Sequence, residues 1–97
     1  MAKAYWVATY RAVKNPEALT AYVKAAAPAI EAAGGRVLAR GMPAKAYELG
    51  QLARVVLIEF DSVERASAAY DSAVYQAARK LLGDGIERDI RIIEAAS

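Results

Sequence analysis

Arg54-Val55-Val56-Leu57-Ile58-Glu59-Phe60 is the stretch whose reading decides the fold. It is an uninterrupted run of β-branched, aliphatic and aromatic residues without glycine or proline, and it reads as a strand. Successive side chains of a strand point to opposite faces, so Val55 and Leu57 face one way and Val56, Ile58 and Phe60 the other. Both faces are apolar. A strand of this kind belongs in a sheet covered on both sides.

Upstream, Ala4 to Tyr10 is a second such run, with Tyr5 and Val7 opposing Trp6 and Tyr10. Asn15-Pro16-Glu17 is a helix start: a capping amide, proline at the first helical position and an acid in the first turn. Leu19, Tyr22, Val23, Ala26, Ile30 and Ala33 follow at helical spacing and mark a buried stripe. Pro28 lies inside it and predicts a kink or a short break. Gly34-Gly35 ends the helix, the first glycine suiting a left-handed position. Arg36 to Gly41 reads as a strand with Arg36, Leu38 and Arg40 on one face. Met42-Pro43 bends it, Ala44 to Leu49 continues extended, and Leu49-Gly50-Gln51 turns the chain back.

Downstream, Asp61-Ser62-Val63-Glu64 reads as a capping box with Asp61 as the cap. Ser72 offers a second N-cap, so Ala73 to Leu82 is expected as a separate short helix. Gly83-Asp84-Gly85 is a loop, and Arg88 to Ala95 is a last strand in which Ile90 and Ile92 oppose Ile93.

The order is β-α-β-β-α-β, an α+β, ferredoxin-like arrangement with a four-stranded antiparallel sheet. Its helices cover one sheet face only. The other face, being apolar, needs a second copy of the chain, which predicts a homodimer with two sheets packed as a dimeric α/β barrel.

The 97 residues are expected to form a single domain, 1–97. Its 24 alanines make much of the apolar content small, so each contributes little burial. There are 13 basic and 11 acidic residues, interspersed along the chain, and no contiguous basic patch to suggest a nucleic-acid partner. The chain has neither cysteine nor histidine. That excludes thiolate nucleophiles, disulfides, Ser–His triads and Cys- or His-ligated metals. No metal site and no cofactor are expected, and general acid–base work falls to Glu, Asp, Tyr or Lys. Met1 to Trp6 lacks the basic and apolar regions of a signal peptide, and no window approaches the ~18 apolar residues of a membrane span. A cytoplasmic, bacterial protein with no membrane partner is the expectation.

Several of these residues form a pattern. Tyr5-Trp6, Tyr22, Pro28, Gly34-Gly35-Arg36, Arg40-Gly41, Val56 to Phe60, Ser62, Tyr70, Ser72 and Tyr75-Gln76 together resemble the uncharacterised bacterial family named domain of unknown function 1330. The resemblance covers nearly the whole chain and is most specific from Tyr22 to Arg36 and from Tyr70 to Gln76. It implies the dimeric α/β barrel fold, which is similar to that of small monooxygenases, isomerases and proteins without known activity. Fold alone assigns no reaction. The chain departs from the family pattern at Met42, Ala73 and Leu82, where a glycine, a proline and an arginine commonly stand.

Candidate ligand-binding residues are Arg40, Glu48, Glu59, Tyr70, Ser72 and Tyr75. A buried arginine needs an anionic partner, so Arg40 is either a carboxylate receptor or half of an ion pair with Glu59 or Glu48. Ser72 and Tyr75 share a helix start that either holds a small carboxylate or is simply capped, with Tyr70 and Tyr75 in the core. The function expected is binding of a small apolar or carboxylate-bearing molecule in the cleft between sheet and helices. The alternative is a cofactor-independent enzyme, with Arg40 holding substrate charge, Tyr70 or Tyr75 hydrogen-bonding, and Glu48 or Glu59 as base.

Overall fold

The computed structural model describes residues 2–96. Its elements are β1 (Ala4–Val13), α1 (Pro16–Ala32), β2 (Arg36–Gly41), β3 (Val55–Phe60), α2 (Val63–Asp71), α3 (Ala73–Lys80) and β4 (Ile86–Glu94). The strands form one antiparallel sheet in the order β2-β3-β1-β4, the ferredoxin-like topology with the second helix broken in two.

β1 is central, pairing Tyr5 with Glu59 of β3 and Ile93 of β4, and Ala8 with Val56 and Ile90. Trp6, Ala8, Tyr10, Ile58 and Phe60 are buried beneath Tyr22, Ala26 and Ile30 of α1, Ala66 and Ala69 of α2, and Tyr75 and Ala78 of α3. The alternation expected for β1, β3 and β4 therefore holds, with the even-numbered residues toward the helices. The odd-numbered set, including Tyr5, Val7, Val55, Leu57 and Ile93, faces away from them, and Ile93 is exposed.

The first helix begins as its sequence dictates. Asn15 caps it by accepting from the Ala18 amide at 3.2 Å, and Pro16 occupies the first turn. It ends at Gly34, whose φ of +94° is open to glycine at no steric cost. Gly35 is required for a different reason. A Cβ there would sit 2.6 Å from Ile30 Cγ2 and 2.8 Å from Phe60 Cζ, so the chain can cross beneath α1 only without a side chain.

Four expectations are corrected. α1 runs unbroken through Pro28, whose ring lies on the exposed side of the helix, away from the Tyr22–Ala26–Ile30 contact with the sheet. The cap of α2 is Ser62, buried and accepting from the Arg65 amide at 3.1 Å; Asp61 instead receives Arg36 Nη2 at 3.0 Å. Residues 44–49 form no strand, and the chain turns at Glu48, where φ is +53° and the Gly50 amide bonds the Tyr47 carbonyl at 2.9 Å. Arg36 and Arg40 do not share a face. The register of β2 on β3 shifts between Val37 and Ala39, placing Arg36 opposite Glu59 and Arg40 opposite Val56. One extra residue in the strand reverses its alternation.

Candidate functional site

The site is assembled where the ends of β1 and β4 pass beneath α1 and α3. Tyr10 of β1 and Arg88 of β4 are cross-strand partners on the helix-facing side of the sheet. Tyr22 descends onto them from α1 and Tyr75 from α3. Arg88 Nη1 donates to the Tyr10 hydroxyl at 3.1 Å and the Tyr22 hydroxyl at 3.2 Å, and Nη2 donates to the Tyr75 hydroxyl at 3.0 Å. The two phenols of Tyr22 and Tyr75 are themselves 2.7 Å apart. The guanidinium carbon lies 4.8 Å from the Tyr22 ring centroid and 5.5 Å from that of Tyr10, within cation–π range.

Three neutral hydroxyls surround this cation, and among the described residues it is in no ion pair. A guanidinium is charged at every accessible pH and carries five N–H donors, of which the phenols take three. Burial, reinforced by the hydrogen bond to Tyr22, pushes the Tyr75 hydroxyl above its ordinary value of 10.0, so it stays protonated.

Tyr75 also anchors an aromatic cluster. Its ring meets Trp6 edge-on at 5.2 Å and Tyr22 edge-on at 6.1 Å, and Tyr70 lies against it at 5.2 Å. These contacts set the hydroxyls of Tyr22 and Tyr75 in position. The short link between α2 and α3 is held by Ser72, which donates to the Ala69 carbonyl at 2.8 Å and accepts from the Tyr75 amide at 3.2 Å. Gln76 adds a 2.6 Å bond to the Tyr70 carbonyl.

A hollow of about 460 Å³ opens between α2, α3 and β4. Arg88 and Arg79 supply its charge, Tyr70 and Ser67 its polar edge, and Leu82, Ile86, Ile90 and Ile92 its apolar wall, with Asp71 at the rim. Its size is that of a small-molecule site. A second, narrow cleft of about 50 Å³ lies on the other side of Arg88, between α1 and the sheet. Among the described residues no cluster of three or more acidic side chains is arranged to hold a metal.

The candidates from the sequence are scattered by this geometry. Tyr75 is at the centre, and Tyr70 lines the hollow. Ser72 spends its hydroxyl on the two helix ends it joins, one donor and one acceptor bond. Arg40 is exposed at the mouth of the narrow cleft and pairs with neither expected acid. Glu59 lies on the opposite sheet face, taken by Arg36 Nε at 3.0 Å and Lys3 Nζ at 3.3 Å, and Glu48 is exposed in the β2–β3 connection. Arg36, through its hydrogen bond, and then Lys3 hold the Glu59 carboxyl below its ordinary range.

Arg88, Tyr10 and Tyr22 were not singled out by sequence reasoning. A signal existed: Arg88 shares the parity of Ile86, Ile90 and Ile92, so from Ile86 to Ile92 this face of β4 carries one cation among isoleucines.

The family model for domain of unknown function 1330 matches residues 3–96. The chain belongs to the DUF1330 family. Its match to that family spans every element of the sheet and all three helices, the Arg88 and Tyr75 positions included. Among solved structures, this DUF1330 chain is similar to a protein of unknown function from Rhodopseudomonas palustris, with 17% identity, a TM-score of 0.77, and coverage of 99% of this chain and 84% of that one. It is similar to a dimeric ferredoxin-like protein of unknown function from Thermobifida fusca, at 16% identity, TM-score 0.68, 97% of this chain and 92% of that one. It also resembles SnoaB, a cofactor-independent oxygenase from Streptomyces nogalater, at 9% identity, TM-score 0.70, 100% of this chain and 96% of that one. At these identities the likeness is one of fold. No curated protein matches the chain.

Proposed function

We propose that this DUF1330 protein binds a small carboxylate-bearing molecule with an apolar body in the hollow between α2, α3 and β4. The observation that carries the reading is Arg88: a part-buried guanidinium held by three phenols, with donors to spare and, among the described residues, no ion pair, the exposed Asp71 lying at the rim of the hollow. Buried charges are normally paired, and an incoming carboxylate is the partner that a planar fork of N–H groups fits best. The wall of Leu82, Ile86, Ile90 and Ile92 would take the apolar body.

Benzoate and its neutral counterpart benzyl alcohol are suitable probes by calorimetry. Benzoate is expected to bind the wild type and to lose about tenfold or more in affinity in Arg88→Met, as expected on removing a charge-assisted pair. Circular dichroism would confirm that the variant is folded. Equal binding of acid and alcohol, or unchanged benzoate binding in folded Arg88→Met, overturns the reading. Native mass spectrometry of gently purified protein adds a direct view of any retained ligand, as mass lost on denaturation.

Catalysis without a cofactor is the second reading, suggested by the fold shared with SnoaB and by the Tyr22–Tyr75 pair, in which one hydroxyl donates to the other and the second keeps a proton for a developing oxyanion. Neither expected base, Glu48 or Glu59, lines the hollow, and the acid that does, Asp71, sits exposed at its rim. Binding is favoured for that reason.

The assembly belongs to the same proposal. Tyr5, Val7, Val55, Leu57 and Ile93 give the sheet an apolar strip on the side away from the helices, and a second copy would cover it. The Thermobifida fusca relative of like fold is described as dimeric. Light scattering at micromolar concentration should give the dimer mass, and a monomer would overturn this part.

A further inference from the structure

The narrow cleft on the other side of Arg88 carries charge that the proposed carboxylate site does not use. Arg54 precedes β3, and its carbonyl accepts from the Tyr10 amide at 2.9 Å, so Arg54, Tyr10 and Arg88 stand in one cross-strand row. Arg54 lies over the Tyr10 ring, 5.9 Å from its centroid. Arg40, opposite Val56, is the diagonal neighbour of Arg54 on the same face, a placement produced by the bulge in β2. Both arginines line the cleft.

Among the described residues neither Arg40 nor Arg54 is ion-paired, and no Asp or Glu lines the cleft. Arg54 Nε is buried with no hydrogen-bond partner. A donor withdrawn from water and left unbonded is costly, and two like charges side by side add to that cost. The rest of the lining is apolar, including Val23, Ile30, Val37 and Val56.

We infer that this cleft is a second site, for a short aliphatic dicarboxylate held by Arg54 and Arg40. Two adjacent cations with no acid call for two negative charges on the ligand. The planar guanidinium matches a carboxylate edge, and the unbonded Arg54 Nε supplies one donor of that match. Phosphate sites typically add backbone amides from a loop or helix start. Here the lining residues lie within α1 and the strands or directly beside β3, and their amides are not gathered at a helix start. The free space of about 50 Å³ admits a few water-sized groups, which limits the ligand to a slim methylene stem along Val37 and Val56, with one charged end at Arg54 and the other at Arg40 by the mouth. Arg40 and Val37, both exposed, leave that mouth open.

Trp6 lines the cleft and is the only tryptophan, so its fluorescence reports on occupancy. Succinate, butyrate and inorganic phosphate are the probes, titrated against wild type, Arg54→Gln and Arg40→Gln. Succinate is expected to bind about tenfold or more tighter than butyrate, and each substitution to remove most of that margin, the loss of a charge-assisted contact. Benzoate binding at the Arg88 hollow should persist in Arg54→Gln, which separates failure of this site from failure of the other. Equal binding of succinate and butyrate, tighter binding of phosphate, or an unchanged succinate affinity in folded Arg54→Gln overturns the assignment. Arg40→Gln changes an exposed side chain and keeps the test valid if Arg54→Gln does not fold.

Discussion

Arg36 and Arg88 sit on opposite faces of one sheet and are treated in opposite ways. Arg36, on the side away from the helices, is given two carboxylates: Nε meets Glu59 at 3.0 Å and Nη2 meets Asp61 at 3.0 Å. Arg11 and Lys14 likewise find Asp89 and Glu87, each at 2.8 Å. Arg88, beneath the helices, receives three phenols and no acid. On the side away from the helices, charge is matched by charge at little gain in stability. Beneath the helices, hydroxyls solvate the cation and leave its charge available. The difference separates arginines that complete a surface from one that waits for a partner.

The largest test of this contrast is at Tyr75. Tyr75→Ala removes a buried ring touching Trp6, Tyr22 and Tyr70 and leaves a donor of Arg88 and the Tyr22 hydroxyl without their partner. A loss of about 3–5 kcal/mol is expected from chemical denaturation. Tyr75→Phe keeps the ring and deletes one hydroxyl, so a cost of about 1–2 kcal/mol is expected, with the loss concentrated in the polar network. Equal effects of the two variants would mean that the hydroxyl alone matters there, and no effect of Tyr75→Phe that packing alone does.

Ser72→Ala is the intermediate case. It removes the acceptor for the Tyr75 amide and the donor to the Ala69 carbonyl, and should cost about 1 kcal/mol, as lost N-caps do. Because the residue positions Tyr75, benzoate affinity should also weaken modestly, whereas a capping role alone predicts stability loss without it.

The smallest effects are those of pH, and they differ in sign between the two faces. Glu59 has a depressed pKa in the folded state, so its contribution is present above the unfolded value near 4.5 and is lost as pH falls through the folded one. Glu59→Gln should flatten the acid limb of a Tm-versus-pH curve. Tyr75 has a raised pKa, so its contribution is present below about 10 and is lost as pH rises beyond it. Tyr75→Phe should flatten the alkaline limb. Exchange of the two outcomes would break the comparison outright.

The fold was largely legible because its signals are local. Asn15-Pro16 starts α1, Gly34 ends it, and the alternation of Val56, Ile58 and Phe60 against Val55 and Leu57 is undisturbed in β3. The site was much less so. Arg36 and Arg40 are four residues apart, which promises a common face, and only the backbone bulge between Val37 and Ala39 separates them. A bulge leaves no composition signature in β2. Arg88 was legible in principle, as a cation on the isoleucine face of β4, but a strand started at Arg88 hides the Ile86 that establishes the row. Tyr22 reads correctly as a core residue on its helical stripe; that its hydroxyl converges with that of Tyr10 depends on how α1 crosses the sheet, which no spacing in the sequence encodes.

The ring of phenols around Arg88 has a consequence for timing and selection. A site built on histidine changes its own charge as a cell acidifies. This chain has no histidine, and its guanidinium is held by hydroxyls, of which that of Tyr75 is pushed above its ordinary value by burial. The guanidinium therefore presents the same charge in mildly acid and mildly alkaline surroundings. On the proposed carboxylate reading, pH dependence of occupancy would follow the ionised fraction of the ligand and not the charge of Arg88.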